Sequence, residues 1–233
     1  MNTLYHILLD ILFKPICLIC NVELDKNTKD KQICLACLKK IIPYDTLICS
    51  ICRNRLPNNK NFCHPKAQYS LAAACNYNNP IIEKLICSLK FHNVRAAAVP
   101  IAHIMINYIN SLNLNLTNFI IIPVPLHKKR LQERGFNQSE ILARKIALSL
   151  NLPINTKSLI KIKPTRAQTE VKDKNNREKN LIGCFELTNI NLKARNILLI
   201  DDVHTTGTTA RTISEILKIN GAKKIIVLVA ART

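Results

Sequence analysis

The chain has 233 residues, enough to bury one good core and carry a small second module. Its 48% hydrophobic and 21% charged residues exclude a disordered or low-complexity chain and fit a globular protein. Lys and Arg number 34 against 15 Asp and Glu, a formal charge of +19, which draws such a chain to nucleic acid, anionic lipid or a strongly anionic small ligand. Lysine enrichment from an AT-rich genome, suggested by the many Asn, Ile and Lys residues, is the alternative origin of that charge.

In chain order, residues 4–13 are apolar but interrupted by Asp10, with no basic region before them. Leu4, Leu8, Ile11 and Leu12 share one helical stripe, which predicts a short docking helix rather than a signal peptide. No apolar run reaches the roughly 18–20 residues that cross a bilayer, so no membrane span is predicted.

Ten cysteines follow, seven of them between Cys17 and Cys63. Without export features they point to metal or reduced thiols. Cys17-x2-Cys20 and Cys34-x2-Cys37, 13 residues apart, form two knuckles. Two knuckles close a thiolate tetrahedron around Zn2+, leave no open coordination position and predict a structural metal. A second zinc on Cys49, Cys52, Cys63 and His64 is chemically reasonable, although Lys66 stands where a fourth Cys would complete a knuckle. Cys75, Cys87 and Cys184 sit alone in apolar contexts and read as core residues.

Residues 69–77 read as extended. Asn79-Pro80 opens a helix over residues 81–91, and a second helix is expected over residues 94–111. Residues 119–124 form a continuous apolar run, the pattern of a buried parallel strand. A segment rich in basic residues follows it directly: Pro125, Leu126, His127, Lys128, Lys129 and Arg130, then Arg134 and Gly135. Residues 139–150 repeat apolar positions at helical spacing, residues 159–162 and 183–187 read as strands, and residues 163–180 form a polar, basic loop.

The last third carries the sharpest motif. Ile197, Leu198, Leu199 and Ile200 predict a central strand that ends in Asp201 and Asp202. Val203 and His204 follow, with His204 read as a loop residue, and then Thr205, Thr206, Gly207, Thr208 and Thr209 lead into a helix closed by Gly221. A buried strand feeding a turn at a helix N-terminus suits a phosphate, and paired carboxylates at a strand's carboxyl end suit sugar hydroxyls. Residues 224–231 make the last strand. Alternating strands and helices predict an α/β fold, a parallel sheet with helices on both faces. The division expected is a front module over residues 1–66 and a larger domain over residues 67–233.

This motif resembles the phosphoribosyl pyrophosphate (PRPP) motif of type I phosphoribosyltransferases. By that resemblance Asp201 and Asp202 take the ribose hydroxyls, while Thr205, Thr206, Gly207, Thr208 and Thr209 take the 5′-phosphate. Pro125, Leu126, His127, Lys128, Arg130 and Arg134 would face the pyrophosphate, with Mg2+ held mainly by ligand oxygens. Together with the cysteine module, Leu89-Lys90-Phe91, Pro123–His127 and Arg134–Gln138, the chain is similar to the ComF family of competence proteins. The resemblance runs from about Leu8 to the C-terminus. It includes Thr165, Gln168, Arg177 and Asn180, and it implies a lid closing over PRPP that carries Arg166, Gln168, Arg177 and Asn180.

What the resemblance implies is a cytoplasmic protein that handles incoming single-stranded DNA during transformation, built on a type I phosphoribosyltransferase-like domain with structural zinc. Two other readings stand beside it. One is an active transferase acting on an unknown acceptor. The other is an adaptor docking DNA-uptake proteins through its zinc module, with PRPP as a regulatory ligand. Residues 121–180 hold fourteen Lys and Arg against five Asp and Glu, 14 − 5 = +9, and form the main positive field. With no Trp and 5% aromatic residues, the sequence nominates no residue that reads a base.

Overall fold

The computed structural model describes residues 14–56, 63–164, 183–188 and 190–233. The expected helix over residues 4–13 and the positions Thr165, Arg166, Gln168, Arg177 and Asn180 lie outside these residues.

Chain order runs α1 (Leu35–Lys39), β1 (Ile48–Cys49), β2 (Ser70–Asn76), α2 (Pro80–Phe91), α3 (Ala98–Ser111), β3 (Phe119–Pro123), α4 (Lys128–Arg134), α5 (Gln138–Leu150), β4 (Leu159–Lys161), β5 (Phe185–Leu187), β6 (Asn196–His204), α6 (Thr208–Ile219) and β7 (Lys224–Arg232). The main sheet has the order β1-β2-β7-β6-β3. β2, β7, β6 and β3 run parallel, and β1 lies antiparallel on the β2 edge. β4 and β5 form a separate antiparallel ribbon.

The apolar run of β6 explains why both faces are covered. Successive side chains on a strand point to opposite faces, so Leu198 and Ile200 join Ile226 and Leu228 of β7 in one core cluster. Ile197 and Leu199 join Ile225 and Val227 in the other. Leu85 of α2, Met105 of α3 and Leu142 of α5 fill the first face. Ile213 and Leu217 of α6 fill the second, with Leu159 and Phe185 of the ribbon. This is the α/β architecture that the alternation of strands and helices predicts.

Local chemistry sets the ends of these elements. Asn79 caps α2, its Oδ1 accepting from the Ile81 and Ile82 amides at 3.0 and 3.3 Å, with Pro80 at the first helical position. The expected helix over residues 94–111 begins instead with a 3-10 turn, Arg95–Ala97. The strand expected over residues 197–200 runs on to His204, because β7 keeps pairing with it through Asp201, Val203 and His204. His204 is thus a strand residue and buried, not a loop residue.

The cysteine-rich segment packs on the same core. Leu24, Ile33, Leu47 and Leu56 belong to the cluster filled by α2 and α3. Asn79 Nδ2 donates to Lys40 O at 3.0 Å, Lys84 Nζ to Ile19 O at 2.8 Å and Tyr108 Oη to Thr46 O at 2.7 Å.

Ile213 is fully buried and central to the second face, whereas Leu148 is 87% exposed on α5. Ile213→Ala is expected to lower the unfolding free energy by about 2–5 kcal/mol. Leu148→Ala should change it by less than about 0.5 kcal/mol, both read from urea unfolding of the full chain.

Candidate functional site

In open α/β sheets the crevice beyond the carboxyl ends of the strands is where ligands bind. Here two such ends lie side by side. Val124 N donates to Ile200 O at 2.9 Å, so the chain leaving β3 stays alongside the residue before the acid pair. Asn137 clamps the next turn: its Nδ2 donates to Val124 O at 3.0 Å, and its Oδ1 accepts from Ser139 N at 3.1 Å, capping α5. Asn137 is therefore occupied as a cap. These contacts open a cleft of about 390 Å3.

Asp201 and Asp202 both line that cleft. Asp201 Oδ1 accepts from Ser139 Oγ and from the Asp202 amide, each at 2.9 Å. Asp202 Oδ1 lies 2.8 Å from Lys90 Nζ, the residue before the end of α2. Burial and the neighbouring Asp202 raise the Asp201 carboxyl well above the ordinary carboxylate range, and Lys90 opposes the rise.

The turn after β6 is built around Gly207, which has φ +79° and caps α6 without a side-chain hydrogen bond. A Cβ there would stand 2.8 Å from His204 Nε2 and 2.9 Å from Tyr69 Oη. Those two atoms are hydrogen-bonded to each other at 2.9 Å beneath the turn. Burial holds the His204 pKa down at about 4, so the ring is neutral at pH 7 and acts as a prop. Thr206 and Thr208 share a hydroxyl hydrogen bond of 2.9 Å within the turn. Thr205 and Thr209 line the large cleft beside the acids, and with Gly207 and Thr208 they also line a small cavity of about 20 Å3.

Across the cleft stand Pro125, Leu126, His127, Arg130 and Arg134. His127 also caps α4, its Nδ1 accepting from Lys129 N at 3.3 Å. Burial lowers the Arg134 pKa. Lys128 is exposed on α4 and is not part of the lining. The turn that sequence leaves without structure, residues 128–134, is a helix closed by Gly135 at φ +70°.

Some lining residues were not foreseen. Lys90 and Ser139 anchor the acids from α2 and α5, and Lys161 adds a cation from β4. Tyr77, Phe91 and Phe185 bring three aromatic rings to the same space, so the base-reading aromatic that composition did not nominate has candidates. Lys90 and Phe91 lie within the Leu89-Lys90-Phe91 motif; nothing local marks Ser139, whose partner is 62 residues away.

The cysteines form two clusters, each with donor atoms all within 4.8 Å of one another: Cys17, Cys20, Cys34 and Cys37, and Cys49, Cys52, Cys63 and His64. Zn–S bonds of about 2.3 Å in a tetrahedron put sulfurs roughly 3.8 Å apart. Cys20 and Cys34 Sγ atoms are 3.6 Å apart, Cys52 and Cys63 Sγ atoms 3.4 Å, and Cys49 Sγ lies 3.5 Å from His64 Nδ1. Both donor sets could hold zinc, with His64 at the fourth position that Lys66 could not fill. Burial pushes the Cys17 thiol up, but the amides of Cys20, Cys34 and Ile19 outweigh it and hold its pKa at about 6. Burial and its neighbouring sulfurs push Cys37 up to about 12. Four thiols this close cannot all ionise unless a cation compensates them.

No family model matches the chain. It is 28% identical over 182 residues to the DNA utilization protein YhgH of Salmonella typhimurium, covering 76% of this chain and 78% of that protein. It is 36% identical over 115 residues to competence protein F of Haemophilus influenzae, covering 48% and 49% respectively. Competence protein ComFC of Bacillus subtilis is 23% identical over 225 residues, covering 84% and 85%. These proteins are homologues of the chain.

Elemental analysis of the purified full chain should find two zinc ions per molecule. Cys34→Ser and Cys63→Ser should each remove one and lower the melting temperature. A value of one in the unaltered protein would restrict metal to a single cluster.

Proposed function

We propose that the chain binds PRPP with Mg2+ in the cleft at the ends of β6 and β3, and serves in competence-type DNA utilization. The observation that carries the ligand is one shared space. Asp201 and Asp202, the hydroxyls of Thr205 and Thr209, and the cations of Arg130 and Arg134 all line a single cleft of about 390 Å3. Carboxylates accept from ribose hydroxyls, a helix start and its hydroxyls favour a phosphate, and guanidinium groups favour a second, bidentate anion. Sugar hydroxyls between two phosphate groups are what PRPP presents. Mg2+ bound to the pyrophosphate oxygens would neutralise charge between the acids and the ligand.

In this reading Ser139 and Lys90 fix the acids in place, and Gly207 over the His204–Tyr69 pair sets the turn. The biological setting is supported by the homologues, which are named for competence and for DNA utilization. The charge of +19 supports a polyanionic partner, which in this setting is incoming single-stranded DNA handled in the cytoplasm. No helix among the described residues is long and apolar enough to cross a membrane.

Calorimetric titration of PRPP and Mg2+ into the zinc-loaded full chain tests the ligand. The Asp201→Asn/Asp202→Asn protein should bind at least about tenfold more weakly, roughly 1.4 kcal/mol, with zinc content unchanged. Equal affinity in the two proteins would sink the proposed site.

A further inference from the structure

The end of α2 holds two neighbouring side chains with different surroundings. Lys90 is 23% exposed and paired with Asp202 at 2.8 Å. Phe91 follows it and stays 59% exposed, although a phenylalanine gains more than most residues from burial. It belongs to neither core cluster, yet it lines the cleft. The fold does not use this ring as packing.

Its surroundings narrow what it could meet. The Arg134 guanidinium stands 5.8 Å from the centre of the Phe91 ring. Arg95 holds the two residues after Arg134: Arg95 Nη2 donates to Gly135 O at 3.1 Å, and the Arg95 guanidinium stands 4.9 Å over the Phe136 ring. The turn that follows Arg134 is thus pinned. The same cleft also carries the cations of Arg130 from α4 and Lys161 from β4. A flat apolar face beside cations is a poor seat for an aliphatic or cationic group. It is a good seat for a flat ring that carries anionic groups, because stacking is served by the phenyl face and the charge by the guanidinium.

Position gives the same answer. Phe91 directly follows Lys90, which pairs with Asp202, and all three line the same cleft, so a sugar held at the acids and a base at the ring would share one space.

We infer that Phe91, with Arg134 beside it, is a stacking platform for a nucleobase at the mouth of the cleft. The assignment deepens the reading of the acid pair as a ribose site and rests on it for direction, sugar inward and base outward. The base can belong to a nucleic acid strand or to a free base meeting the bound sugar phosphate. The chemistry recognised is the same in both cases.

The probe is 2-aminopurine, whose fluorescence is quenched when it stacks. It is offered to the zinc-loaded full chain as the free base in the presence of PRPP and Mg2+, and separately within a short single-stranded oligonucleotide. Quenching is expected in at least one arm with the unaltered protein and with Phe91→Tyr. Phe91→Ala should abolish it and weaken binding by about 5- to 150-fold, the equivalent of roughly 1–3 kcal/mol of stacking. Quenching confined to the oligonucleotide assigns the platform to a strand, and quenching confined to the free base assigns it to a small acceptor. Absence of quenching in both arms, or quenching that survives Phe91→Ala, overturns the inference. Because Phe91 is exposed, its replacement should leave zinc content and melting temperature unchanged. The Asp201→Asn/Asp202→Asn titration uses PRPP as its own readout, so the ribose site and the platform fail separately.

Discussion

Two carboxylates on consecutive residues repel each other, and β6 delivers Asp201 and Asp202 to a place where water screens that repulsion poorly. Lys90 and the Ser139 hydroxyl make the arrangement tolerable, one from α2 and the other from α5. The acid pair is held because helices on the first face of the sheet are docked correctly. Those helices are docked because the alternating side chains of β6 and β7 give them an apolar floor. The cleft inherits its shape from the core.

The opposite face contributes in the same way. Gly207 can close over His204 and Tyr69 only because those two side chains are buried and hydrogen-bonded to each other. Tyr69 precedes β2, whose outer neighbour is β1, the strand carrying Cys49. The second cysteine cluster is therefore one strand pairing away from the prop beneath the turn. The cysteine-rich segment and the cleft belong to a continuous structure, and hydrogen bonds from Asn79, Lys84 and Tyr108 add to that continuity.

Much of this was legible in the sequence, for identifiable reasons. A run of four apolar residues buried on both faces announces a central parallel strand, and Gly207 marks a turn that a side chain could not enter. Cysteine pairs at knuckle spacing announce their geometry. What stayed hidden depends on partners far along the chain. β6 extends to His204 because β7 offers matching backbone groups, a matter of register that no local pattern records. The set Cys49, Cys52, Cys63 and His64 was named from the sequence, but spacing alone could not show that its donor atoms lie together. The β4–β5 ribbon joins strands that the sequence separates by a long polar loop, and it brings Phe185 and Lys161 into the cleft. Lys90 sat in a motif whose role could not be read until Asp202 was seen beside it.

In the proposed function one cleft grips a phosphorylated sugar between the acid pair and the turn after β6. Amide hydrogen exchange of the full, zinc-loaded chain, with and without PRPP and Mg2+, tests it most directly. Exchange should slow over residues 201–209 and over residues 125–130 when the ligand is added. Unchanged exchange in both segments, with ligand at saturating concentration, would contradict it.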